Sequence, residues 1–228
     1  MKKIKKLSIV EKNNISNIFV DDKPLKSIGG NFFDLKSNKL ANFLKDEITI
    51  SKTISDIKNL IFYQVFSLAI DKIKDNKIEY VEKICEYSDT DLICYRAEAP
   101  HDLCKLQEEI WDPVLDKLKK INIKFNKFTG IIPKSQPRQS TEILKKKIID
   151  LNNLQISCLF KLTQMTGSVL LSYSFVKGLI NEKNMFECSF LDENWQAKKW
   201  GLLEDVQEKQ KKDFLIIKKF NRLLNILY

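Results

Sequence analysis

Apolar and polar positions change rhythm near residue 50. Before it, Lys6–Val10 and Ile15–Val20 are short runs rich in β-branched residues, separated by the polar Glu11–Asn14. This predicts a hairpin of two strands. Asp21-Asp-Lys-Pro24 predicts a second turn, with Pro24 preset for it. Leu25–Ser27 and Asn31–Leu35, around Gly29-Gly30, predict one or two further strands. Ser37 then stands where a helix cap belongs, ahead of Leu40, Phe43, Leu44 and Ile48 on one helical face.

After residue 52 the period becomes helical. Ile57, Leu60, Ile61, Val65, Leu68 and Ala69 form one stripe. Asn76–Glu79 has the form of a capping box, with Ile78, Val81, Ile84 and Cys85 expected inward. Pro100 suits the start of a helix through Leu103, Leu106 and Ile110. Asp112-Pro113 either kinks that helix or caps a new one. Ile121–Phe125 alternates and is expected as a late strand, near 121–131, that returns to the N-terminal sheet. Ile132–Pro137 reads as a loop. Helices resume at Thr141, with Gly178 at a C′ position. The pattern predicts an α+β protein: a small α/β domain over 1–52, then a helical bundle over 53–228.

Composition narrows the function classes. At 228 residues with 43% apolar residues, a sizeable core is available. The apolar runs, such as Ser168–Val176, are about half the ~20 residues a membrane span needs. No targeting segment is read at the N-terminus, so the expected location is the cytoplasm of a bacterial cell. Five cysteines, at 85, 94, 104, 158 and 188, are spread singly and are expected as reduced thiols. The formal charge of +9 raises the alternative of a basic nucleic-acid-binding protein. Against it, the only arginines are Arg96, Arg138 and Arg222, so few side chains offer bidentate phosphate or guanine contacts.

Reactive constellations are sparse. Cys94–Leu103, CYRAEAPHDL, brings together a thiol, Arg96, Glu98 and His101, the chain's single histidine. Cys104 lies three residues after His101, which is helical spacing for a Cys/His pair, but no third group orients the imidazole. Neither a GxxxxGK[ST] nor a GxGxxG phosphate cradle is present, and no metal-ligand spacing is found, so no cofactor is expected. The acidic pairs Glu108-Glu109, Asp192-Glu193 and Glu204-Asp205 are placed as helix-surface or first-turn charges. Trp111, Trp195 and Trp200 each lie beside charged residues, and each is open to two readings: interface anchor, or core anchor with a polar handle.

Thr90–Pro100, followed by Gln107 and Trp111-Asp112-Pro113, resembles the signature of an assembly-chaperone family whose members bind the alpha subunit of the ATP synthase catalytic sector. Leu162–Ser168, Asp192-Glu193-Asn194-Trp195-Gln196 with Trp200-Gly201, and Asp22–Lys26 are similar to further family motifs, in the same order. The resemblance implies a small α/β domain plus an orthogonal helical bundle, and no enzymatic activity. It also implies a chaperone that shields the unassembled alpha subunit until the beta subunit displaces it, with the chaperone itself a monomer. The positions it marks are Arg96, Glu98, Pro100, Trp111, Asp112, Asp192, Glu193, Trp195, Gln196 and Trp200. Within them, Asp91, Arg96 and Glu98 either pin the turn into the helix or, for Arg96 and Glu98, face the client. Two departures stand out. Ala197-Lys198-Lys199 occupies the place of the family's usual acid, and Ile48 follows Glu47 where a tryptophan is common, so that position needs bulk rather than an indole.

Overall fold

A computed structural model describes residues 3–130, 132, 134–201 and 204–228. The protein is α+β. Its described residues fall into two compact units, one comprising residues 1–77, 152–157 and 225–228, the other 78–151 and 158–224.

In the first unit, β1 (Leu7–Lys12), β2 (Ile15–Val20) and β3 (Lys23–Pro24) form an antiparallel sheet in chain order. Two-residue turns of this kind need positive φ at both central positions. Asn13 and Asn14 (φ 52° and 60°) supply the first, and Asp21 and Asp22 (φ 48° and 64°) the second. Pro24 is therefore already in the edge strand, paired with Phe19, rather than in the turn. The strands expected at 25–27 and 31–35 shrink to the single bridges Lys26–Phe32 and Ser16–Leu35. Ser16, Ile18 and Val20 alternate inward along β2. Helix α1 (Asn38–Ile48) covers β1 and β2 with Ala41, Phe43, Leu44 and the fully buried Ile48. Ser37 is its N-cap residue, but its side chain makes no capping bond. Then follow α2 (Ile54–Lys58), with a capping box made by Thr53 and Asp56, and α3 (Ile61–Leu68), whose Phe62 and Phe66 pack on Phe43. One π-helical turn, Ala69–Ile73, leads into α4 (Lys74–Cys85).

The capping box expected at Asn76–Glu79 is not formed. Asn76 is a non-helical point inside α4 (φ −127°, ψ 40°), and its amide donates back to the Lys72 carbonyl. Val81 and Ile84 are buried as expected, while Ile78 is exposed.

The second unit holds β4 (Tyr95–Arg96), α5 (His101–Lys119), β5 (Phe128–Thr129), α6 (Arg138–Ile149), most of α7 (Asn153–Thr166), α8 (Val169–Val176), α9 (Glu182–Ser189), α10 (Leu191–Trp200) and most of α11 (Glu204–Leu227). All eight residues of α8 are buried, as befits a helix apolar around its circumference. Helices α5 and α9 pack against it. A Schellman motif closes α8. Gly178 takes φ 66°, Leu179 N donates to Ser174 O, and Gly178 N donates to Phe175 O.

For this unit one alternative is settled and one expectation is corrected. Helix α5 runs through Pro113 as one helix and no new helix begins there. Among the described residues of the late strand, only Phe128–Thr129 forms a ladder, and it pairs in parallel with Tyr95–Arg96 rather than with the N-terminal sheet. The alternation in 121–125 does bury Ile123 and Phe125. The backbone nearby is satisfied by a side chain instead of a strand, since Gln136 accepts from Asn126 N and donates to Asn126 O. Ile131 and Pro133, at the end of that segment and in the expected loop, lie outside the described residues.

Candidate functional site

The motif Thr90–Pro100 folds around two anchors. The first is Asp91, which is fully buried. Its Oδ1 accepts from Ser168 Oγ (2.6 Å) and Ile93 N (3.2 Å), and its Oδ2 accepts from Leu170 N (2.9 Å). It thus ties the 3₁₀ turn Leu92–Cys94 to the N-terminus of α8, where helix amides favour a carboxylate. Burial pushes its carboxyl up to about 6, against the pull of those hydrogen bonds. Ser168 also caps α8 by accepting from Leu171 N (2.9 Å).

The second anchor is Arg96, with 9% of its side chain exposed. Nε donates to Ile93 O (3.1 Å), one terminal nitrogen to Gln107 O (2.8 Å) and the other to Asp112 Oδ1 (2.8 Å). The guanidinium stacks 5.1 Å from the Trp111 ring. Lys127 pairs with the other Asp112 oxygen at 2.9 Å. Gln107 extends the cluster, since its Oε1 accepts from Ala97 N and its Nε2 donates to Asp192 Oδ1 (2.8 Å). Trp111, 1% exposed, donates its indole N–H to Cys188 O (3.0 Å).

The marked positions therefore separate into three groups. Arg96 joins Asp112 and Trp111, and Gln107 links Arg96 to Asp192. Glu98 and Pro100 are exposed, with Pro100 as the N-cap residue of α5. His101 is exposed, and the Cys104 thiol donates to Ala97 O rather than serving an imidazole. Glu193 and Gln196 are exposed on α10.

Trp195 and Trp200 make a different arrangement. Trp195 is 9% exposed, and its indole donates to Asp102 Oδ2 (3.2 Å). Lys199 reaches the same oxygen at 2.9 Å and sits 4.3 Å over the Trp195 ring. That ammonium holds the Asp102 carboxyl below its usual range, with the indole N–H helping. Trp200 meets Trp195 edge to face at 5.8 Å yet stays 74% exposed. Beside the pair, a groove of about 460 Å³ lies between α5 and α10, floored by Leu106, Ile110, Leu191, Trp195 and Ala197, with Lys198 on its rim. A smaller hollow of about 180 Å³ shares Ile110 and Glu187 with it and continues to Val114 and Ile180. An apolar groove walled by an indole that packs on a second, exposed one is suited to another polypeptide.

The structure also separates the three tryptophans, which look alike in sequence. Trp111 is a core anchor, Trp195 a groove wall, and Trp200 an exposed anchor. Several lysines, including Lys83, Lys119 and Lys145, are taken up in ion pairs with neighbouring carboxylates rather than gathered on one bare face. Among the described residues no cluster of metal-ligating side chains occurs, and no helix is long and apolar enough to cross a membrane.

The fold is that of Atp12 from Paracoccus denitrificans. The two structures superpose with a TM-score of 0.84 over 99% of this chain and 97% of that one, at 22% identity. The Atu1473 protein of Agrobacterium tumefaciens superposes equally well (TM-score 0.84, 25% identity, 99% and 85% covered). By sequence the chain is 25% identical over 165 residues to Protein atp12, mitochondrial, of Schizosaccharomyces pombe. That match takes in 68% of this chain and spans just 57% of the Schizosaccharomyces protein. Residues 2–119 match the family described as ATP12 chaperone protein, and the chain belongs to that family.

Proposed function

We propose that this chaperone binds the unassembled alpha subunit of the ATP synthase catalytic sector, covers its assembly interface, and is displaced by the beta subunit. A ring subunit without its neighbour exposes a large apolar face, which is an aggregation hazard. Family membership supports the assembly role, and it implies a binding protein rather than an enzyme. On this reading the chaperone acts as a monomer in the bacterial cytoplasm.

The observation that carries the client-facing assignment is Trp200, 74% exposed and edge to face with Trp195, which lines the α5–α10 groove. Exposed tryptophans beside apolar grooves are frequent binding hot spots. On this reading Trp195, Trp200 and the groove floor hold the client, while Arg96, Trp111, Asp112 and Asp192 hold the groove in shape. Lys199 is committed to Asp102 and Trp195, so Lys198 is the lysine of the pair left to meet the client where the family usually has an acid.

Trp200→Ala is the direct test. Binding to purified alpha subunit is expected to weaken by about 2 kcal/mol, roughly thirtyfold, by calorimetry. The melting temperature should move by less than about 2 °C, because an exposed ring contributes little to the core. Unchanged affinity would remove Trp200 from the client surface.

A further inference from the structure

In the first unit, the exposed loop Ser27–Asn31 is held in one conformation by Asp71, which projects from the π-helical turn. Asp71 Oδ1 accepts from Ser27 Oγ (2.5 Å) and Asn31 Nδ2 (2.8 Å), and Oδ2 accepts from Gly29 N (2.6 Å). Ser27 Oγ accepts from Asn31 N (3.0 Å), and Ser67 Oγ accepts from Ile28 N (3.2 Å). The carboxylate lies so close that a Cβ on residue 29 would stand 2.7 Å from Asp71 Cγ, so any larger residue there would push the carboxylate off these bonds. What this bracing presents to solvent is apolar: Ile28, 56% exposed, with Phe32, 47% exposed, beside it.

Next to the loop is a pocket of about 490 Å³. Leu25, Ile54, Ile57 and Tyr63 supply apolar and aromatic walls, and Lys23, Lys26 and Lys58 stand on the rim. Asp21 also lines the pocket, and its Oδ1 accepts from Lys5 N (2.8 Å) and Lys6 N (3.0 Å) ahead of β1. Asp22 pairs with Lys6. The rim therefore presents net positive charge around an apolar floor, beside an apolar knob that needs no ordering on binding.

We propose that this pocket and the Ile28 knob dock an acidic segment of the client polypeptide. An aliphatic or aromatic side chain enters the pocket, and flanking Asp or Glu residues meet Lys23, Lys26 and Lys58. The site is distinct in sequence from the α5–α10 groove, and its proposal rests on the client reading above. Charge on the rim supplies steering and selectivity, and the apolar floor supplies affinity.

The test compares three forms of the full chain for binding to purified alpha subunit across a salt series. The wild type sets the reference, and its failure to bind would sink the client reading and this site together. Lys23→Glu/Lys26→Glu/Lys58→Glu is expected to raise Kd about tenfold or more at low salt and to flatten the salt dependence. Lys211→Glu/Lys212→Glu on α11, which reverses charge elsewhere, should bind close to the wild type. Equal losses in the two variants, or none in the triple one, would overturn the site while leaving the client reading in place. A photo-crosslinkable residue at position 28 gives the independent readout. A crosslink to an Asp- or Glu-rich client peptide is expected, whereas none, or one to a basic peptide, would overturn the assignment.

Discussion

Asp91→Ala is expected to lower the unfolding free energy of the helical unit by about 3–5 kcal/mol, the larger of two expected losses at polar residues of the Thr90–Pro100 motif. Alanine leaves Ile93 N and Leu170 N without acceptors in a fully buried place, and frees the Ser168 hydroxyl that caps α8. An unsatisfied buried donor costs about 1–3 kcal/mol, and two are created. In a chain of this size the melting temperature should fall by about 6–15 °C, measured by circular dichroism. A fall below about 3 °C would mean the site relaxes to recruit water, and the tie to α8 would lose its importance.

The same residue predicts a pH dependence with a definite sign. The Asp91 carboxyl is raised from the ordinary 3.8 to about 6 in the folded state. A raised folded-state value favours folding below the unfolded value, and that contribution is lost as pH rises through about 4 to 6. Asp91→Asn keeps one acceptor oxygen and removes the titration. The stability of the wild type relative to this variant should therefore decline by about 2 kcal/mol between pH 4 and pH 7. A difference that stays flat, or grows with pH, would show that the hydrogen bonds outweigh burial.

Arg96→Ala should cost about 3–4 kcal/mol, the smaller of the two losses. It removes the donors to Ile93 O, Gln107 O and Asp112, and strips the stacking cation from Trp111. Lys127 still neutralises Asp112, which keeps the loss below that of breaking an isolated buried pair. Arg96→Lys should recover at most about half, because one ammonium cannot reach three acceptors set out for a planar fork. The measurement also discriminates between roles. If Arg96 braces the turn, both variants lower the melting temperature before they alter client affinity. If it faced the client, affinity would drop at unchanged stability.

Local chemistry explains what was legible in the chain. The sheet could be read from the β-branched runs Lys6–Val10 and Ile15–Val20 and from asparagines and aspartates at turn positions, where positive φ is tolerated. Helix α8 could be read from an apolar run bounded by a serine and a glycine. The failures share one cause, a side chain that bonds to something distant or behind it. Asn76 looks like a cap but donates to Lys72 O. The alternation of Ile123 and Phe125 looks like a strand, but Gln136 takes up the nearby backbone. Asp91 reads as part of a network pinning its own turn to the next helix, yet its partners Ser168 and Leu170 are 77 and 79 positions away. The candidate site was legible as motifs and not as roles. Nothing in the neighbourhoods of Trp111 and Trp200 tells that one is sealed against Cys188 and the other bare. Gln107, which joins Arg96's neighbours to Asp192, was visible as a motif residue but not as a connector.

The most direct measurement is co-expression of the chain with the alpha and beta subunits of its own ATP synthase, one at a time, followed by affinity purification and gel filtration. The account predicts a one-to-one complex with alpha, none with beta, and release of the chaperone when beta is added to the alpha complex. A stable complex with beta, or no complex with alpha, would contradict it.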